Sequence, residues 1–147
     1  MEKANNLDIN QFVVFKLDKE DYGININKVS TIEQVLPATR VPNTPDYIRG
    51  VINLRGDIIP VIDLRKRFGL PPVEDTEDTR IIIVKSGEVN AGMIVDSVSE
   101  VMHLDDNSVE NASNFISEGS AGYVMGAGKA GDRIVSLLDA DKIMMLD

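Results

Sequence analysis

Short runs rich in valine and isoleucine recur between turn residues, and few stretches hold a helical period for three turns, so the pattern predicts strands throughout. QFVVFKL (Gln11 to Leu17) is the first strand, a polar turn covers Asp18 to Asp21, and YGIN resumes extended. KVSTIEQVL (Lys28 to Leu36) also reads as extended. Its two faces are both mixed, with Val29, Thr31, Glu33 and Val35 on one and Ile32, Gln34 and Leu36 on the other. The connection PATRVPNTPDYIRG leads into GVINLRGDIIPVIDL, a hairpin signal whose turn is Arg55-Gly56, and Pro60 limits ladder pairing at its own position. Asp63 is placed to cap the short helix LRKRF, which Gly69 ends. The acidic, proline-bearing stretch 71–79 reads as a linker between two halves.

Beyond the linker the pattern starts again. At an offset of 69 residues, RIIIVKSGEVNAGMIVDSVSEV overlies QFVVFKLDKEDYGININKVSTI without a gap, placing Gly92 on Gly23, Met93 on Ile24, Val98 on Val29 and Val101 on Ile32. The parallel resumes at an offset of 75 to 76, where GDRIVSLLDADKIM answers GDIIPVIDLRKRFG and Asp139 caps a final short helix as Asp63 caps the first. One small β unit of about five strands and a helix is used twice. Units of roughly 65 to 75 residues are marginal alone, so the two are expected to pack on one another, their small sheets closing into barrels that hide their edges.

Composition narrows the chemistry. The 147 residues fit one domain or two small subdomains sharing a core, with 43% hydrophobic and 27% charged residues. No cysteine excludes disulfides and thiol catalysis, and one histidine excludes metal sites needing two imidazoles. A net charge of -9 disfavours nucleic acid, and neither a membrane-length apolar run nor a secretory leader is present, so a cytoplasmic protein is expected. GAGKAG (Gly126 to Gly131) matches GxGxxG formally. DRIVSLLD follows it with strand character where a phosphate site needs a helix, and Lys129 is followed by Ala130 where a P-loop needs Ser or Thr. A glycine-rich hairpin is expected there, a solvated turn at DDNSVEN (Asp105 to Asn111), and a surface imidazole at His103. No residue is assigned to catalysis, to a cofactor or to a metal.

Charge is uneven along the chain. Arg40, Arg49, Arg55, Arg65, Lys66 and Arg67, set against Asp46, Asp57 and Asp63, leave the 40–67 stretch at +3 on a remainder of -12. Two readings follow, a basic docking face for an acidic helical partner or side chains covering a short helix. Arg55 stands out, because a purely structural hairpin turn would more often carry Asn or Asp there.

Phe12 to Phe15, YGI near Tyr22, Lys28-Val29, NTPDYIRGVINLRGDIIPVIDLRKRFG (Asn43 to Gly69) and GDRIVSLLDADKI together closely resemble the CheW-like family of chemotaxis coupling proteins. The resemblance spans essentially the whole chain, and its NLRG to PVIDLR block is highly specific. It implies a mostly β fold of two pseudo-symmetric five-stranded SH3-like barrels on a shared hydrophobic core with short helices. The chain would then be one domain over 1–147, with intertwined subdomains of roughly 11–70 and 80–147. The family implies a non-enzymatic scaffold linking the cytoplasmic tips of methyl-accepting chemoreceptors to the regulatory domain of the histidine kinase CheA. Receptor contact by the family pattern maps onto Val29, Gly50, Arg55, Val98 and Val101, while Thr31 stands where many relatives have an acid, and the kinase contacts are not assigned. A small SH3-like ligand- or peptide-binding barrel outside chemotaxis is the alternative.

Overall fold

The longest apolar runs become strands buried on both faces, which is why they do not alternate. The computed structural model describes residues 11–104, 109–111 and 122–145. The first repeat supplies β1 (Gln11–Leu17), β2 (Glu20–Asn25), β3 (Val29–Gln34), β4 (Ile48–Leu54), β5 (Asp57–Asp63) and helix α1 (Leu64–Arg67). The second supplies β6 (Arg80–Ser86), β7 (Val89–Val95), β8 (Ser97–His103), β9 (Val109–Asn111), β10 (Val124–Ala130), β11 (Arg133–Leu138) and helix α2 (Ala140–Met144). The first turn is tighter than its composition suggests, since β2 already begins at Glu20 with Asp18 at φ +58.

The strands form a six-stranded sheet ordered β8-β1-β2-β11-β10-β9 and a five-stranded sheet ordered β3-β6-β7-β5-β4. Each sheet is interwoven, joining strands one and two of one repeat to the last strands of the other. Two of the four joints are parallel, β11 on β2 with Leu137 opposite Gly23 and β5 on β7 with Val61 opposite Gly92, and two are antiparallel, β8 on β1 and β3 on β6. The duplication extends to the hydrogen-bond register. Val29 lies opposite Val84 as Val98 lies opposite Phe15, and a bulge follows at Ser30 and again at Ser99. A second bulge separates Ile48 from Gly50 and recurs between Val124 and Gly126. The bulge at Ser30 explains the mixed faces of the Lys28 to Leu36 stretch. Val29 packs on one apolar cluster and Val35 on another.

Three clusters divide the interior. Ile52, Ile59, Val61, Ile81, Ile83 and Ile94 line one face of the five-stranded sheet, and Phe12, Val14, Leu104, Val135 and Leu137 line the corresponding side of the other. Between the sheets lies the shared core, with Phe15, Ile24, Ile62, Leu64, Ile82, Met93 and Ile143 at 2% exposure or less. Curling is completed by short bridges. Thr39, beyond the end of β3, exchanges two hydrogen bonds of 2.8 and 2.9 Å with Val51 of β4. β9 does the same for β10, with Glu110 opposite Ala127, so the sixth strand is the longer counterpart of the Thr39 bridge. One sheet has the expected five strands and the other gains β9 as a sixth, and instead of closed barrels they are packed sheets drawn together by short bridges.

Helix starts repeat as well. Asp63 and Asp139 accept from the backbone N–H of Lys66 and Lys142, and their own N–H groups donate to the carbonyls of Tyr47 and Tyr123 at 2.7 and 2.8 Å. The guanidinium of Arg67 lies over both of those rings, at 4.2 and 5.2 Å, and so ties the two repeats together. Arg65, 8% exposed, makes two 2.9 Å bonds to Asp96, one of 3.2 Å to Asp18 and one of 2.6 Å to the Pro71 carbonyl. Those bonds fix the start of β8 against α1 and the β1–β2 turn. The 71–79 segment is docked, not loose, because Arg49 also holds Asp75 at 2.8 Å and Arg80 holds the carbonyls of Glu77 and Thr79.

Two predictions follow from these contacts. Gly50 has φ +151, and a Cβ there would run into the Thr39 carbonyl. Gly50→Val should therefore break the bridge and cost roughly 2 kcal/mol or more in denaturant unfolding, where an unchanged midpoint would contradict it. The carboxyl of Asp21, 12% exposed, is pushed up by burial, but hydrogen bonds and charge from Lys16 and Arg133 outweigh this and hold it below its ordinary value. A depressed carboxyl stabilises the fold above the unfolded value, near pH 4, and that contribution disappears as pH falls through the folded one. Asp21→Asn should flatten the acid limb of a stability-against-pH curve, and an equally steep limb in the variant would refute the assignment.

Candidate functional site

The β4–β5 turn sets Arg55 apart. Both central residues have positive φ, Arg55 at +54 and Gly56 at +92, as a tight hairpin matching the strand twist requires. Glycine takes that backbone freely, whereas arginine is strained there, of order 1 kcal/mol or more. The Asn53 side chain stabilises the turn by accepting from the Gly56 N–H at 3.0 Å. Arg55 projects with 74% of its side chain exposed, and its guanidinium reaches Glu33 of β3 at 3.4 Å. Glu33, 20% exposed, also accepts a 3.1 Å bond from the Thr31 hydroxyl. The carboxylate paired with this arginine thus sits two residues beyond Thr31. An exposed pair of this length is worth about 0 to 1 kcal/mol and exchanges readily for another partner.

The remaining predicted positions fall into two groups. Val29 begins β3 and Val98 is the second residue of β8, the outer strands of the two sheets, and both are half-buried against the shared core. Each therefore gives part of its surface to packing and part to solvent. Val101 is 53% exposed on β8, and its repeat partner Ile32 is 39% exposed on β3. The exposed pair Ile58 and Ile134, each the second residue of its strand in β5 and β11, repeats in the same way. Gly50 is buried beneath Thr39, so it is removed from any surface contact and acts on its surroundings through the bridge. Arg55, Glu33, Thr31 and Val29 are linked through one strand and one turn. Val98 and Val101 stand on the other sheet, where Val98 packs with Val29 on the shared core and Val101 is exposed.

Most of the basic stretch is partnered within the chain, although Arg40 and Lys66 are exposed. Arg49 is paired with Asp75 and Asp63, Arg55 with Glu33 and Arg65 with Asp96 and Asp18, while Arg67 lies on two tyrosines and donates to the Met145 carbonyl. A count along the sequence could not see acids brought in from 22 to 47 residues away. Glu33 was missed for the same reason. Ile32 was accessible through the repeat, since its offset partner is Val101. GAGKAG completes β10 and turns at Gly131 directly into β11, as the hairpin reading expects. His103 ends β8 on the surface, and residues 105–108 of the acidic turn lie outside the described residues.

Comparison with known proteins accounts for this arrangement. Residues 11–146 match the model of the CheW-like domain. Chemotaxis protein CheW of Klebsiella aerogenes is 40% identical over 134 residues, covering 91% of this chain and 81% of that protein. The Bacillus subtilis protein of the same name is 36% identical, over 91% and 86% respectively. The crystal structure of the scaffolding protein TtCheW from Thermoanaerobacter tengcongensis superposes with a TM-score of 0.85 at 38% identity, covering 94% of this chain and 89% of that one. A family model matched along nearly the whole chain, relatives similar over most of their length and a shared architecture agree, and the chain belongs to the CheW-like family.

Proposed function

We propose that this protein is a non-enzymatic scaffold that couples methyl-accepting chemoreceptors to the histidine kinase CheA in the cytoplasm. The observation that carries the reading is Arg55, an arginine kept in a strained turn, almost fully exposed, and held by one exchangeable carboxylate. Such a group is suited to exchanging Glu33 for an acid or carbonyl on a helical partner, with two charge-assisted bonds available to fix orientation. The exposed aliphatic side chains of Ile32 and Val101 supply apolar area for the same class of partner. Gly50 contributes indirectly, by permitting the bridge that brings β3 and the β4–β5 hairpin together. Among the described residues no helix is long and apolar enough to cross a membrane, and association with receptor arrays is through partners.

Arg55→Glu should leave the unfolding midpoint within about 0.5 kcal/mol of the parent, because an exposed pair contributes little, yet weaken binding to a receptor cytoplasmic fragment at least tenfold. Retained binding in a pull-down with that fragment and CheA would remove the basis of the proposal.

The valines separate by burial. Val101→Asp should reduce receptor binding with stability unchanged, whereas Val29→Asp should also cost about 1 to 3 kcal/mol, since its carboxylate would be half-buried without a partner. Both should affect CheA binding less than receptor binding. Titration of the folded variants against each partner checks this, and equal losses toward both would place the two partners on one surface.

A further inference from the structure

The duplication builds two equivalent corners, where each helix start meets the strand pair of the other repeat, and among the described residues only one is filled. At the first corner Arg49, Asp63 and Arg65 face Ile94 and Asp96, and residues 73–75 with Thr79 lie over them, leaving a cavity of about 10 Å³. Its repeat partners are Met125, Asp139 and Asp141 facing Asn25 and Asn27. These five, with Lys28, line an open groove of about 320 Å³, at the small end of the range for ligand sites. None of the described residues overlies this groove as 73–75 overlies the first.

The filled corner shows how a segment is held. The Pro71 carbonyl accepts from Arg65, Asp75 pairs with Arg49, and Val73 lies between, so alternate residues of an extended stretch face the wall. In the open groove the chemistry is reversed. Asp141 stands where Arg65 stands, and Met125, 64% exposed, replaces Arg49. The wall carries two carboxylates against one lysine, on a protein of net charge -9. Asp141 is held by the Ser86 hydroxyl and by Lys28 at 3.3 Å, with the Lys28 and Asp141 side chains 41% and 48% exposed, and an ion pair so open to water is easily displaced.

We propose that this groove binds an extended segment of a partner protein carrying a lysine or arginine over Asp141 and, at alternate positions after it, aliphatic side chains that reach Met125. The inference rests on the two corners of this chain and is independent of the receptor and kinase assignments.

The probe is the peptide acetyl-Lys-Ser-Val-Ser-Leu-amide, titrated into the ¹⁵N-labelled protein, with the same peptide carrying Glu for Lys as control. The basic peptide should shift the amides of Asn27, Lys28, Met125 and Asp141 saturably, while the acidic one should not. Asp141→Asn should weaken that binding at least tenfold. Met125→Ser, at an exposed position that leaves the fold intact, should weaken it severalfold. Arg55→Glu should bind the basic peptide as the parent does, which keeps this site separable from the receptor surface. No shift at those amides, equal shifts with the acidic peptide, or binding unchanged in both groove variants would overturn the proposal. So would contacts from residues 105–121 of the same chain to the groove in the free protein, or concentration-dependent shifts there, which would make the occupant the chain itself or a second copy.

Discussion

Everything in this fold depends on four strand pairings that cross between the repeats, β11 on β2 and β5 on β7 in parallel and β8 on β1 and β3 on β6 antiparallel. Neither repeat completes a sheet from its own strands. The central strands are consequently buried on both faces, and the core between the sheets is assembled from both halves at once. The same constraint gathers the helix starts, with their paired tyrosines and Arg67, at the junction of the halves.

The charges follow from that architecture. Interweaving brings acids from β3, the β7–β8 corner and the docked 71–79 segment onto arginines of α1 and the β4–β5 hairpin, so most of the basic stretch is satisfied internally. Breaking a buried, multiply bonded group such as Arg65 is far more costly than breaking an exposed pair. Arg55 is left projecting from the surface, held by one weak partner, with Arg40 and Lys66 also exposed in the same stretch. The body around it is acidic, which suits it to select partners by a few directed contacts instead of by bulk attraction.

Much of the fold was legible because the duplication is written in apolar positions and glycines, which fix register, and register fixes the sheet. Gly23 with Gly92, Val29 with Val98, and Asp63 with Asp139 all occupy equivalent places. The site was less legible. Arg55 could be singled out by its turn, but its pairing with Glu33 arises from sheet curl across 22 residues, which no local pattern encodes. The bulge at Ser30 hid which side of Val29 is buried, and Gly50 reads as a candidate contact although it lies beneath a bridge. Arg65 looked like part of a basic face because its acids come from the other repeat and from the first turn.

The interweaving also says something about how such a molecule is put together. A chain containing one repeat alone would expose the strand edges that here pair with the other repeat, and it would satisfy them only by trading strands with a second copy. The chain is, in topological terms, a strand-exchanged pair of repeats joined through residues 71–79. Cutting that connection would leave two fragments, each needing the other to fold, and reassembly of the separated halves would be a bimolecular event.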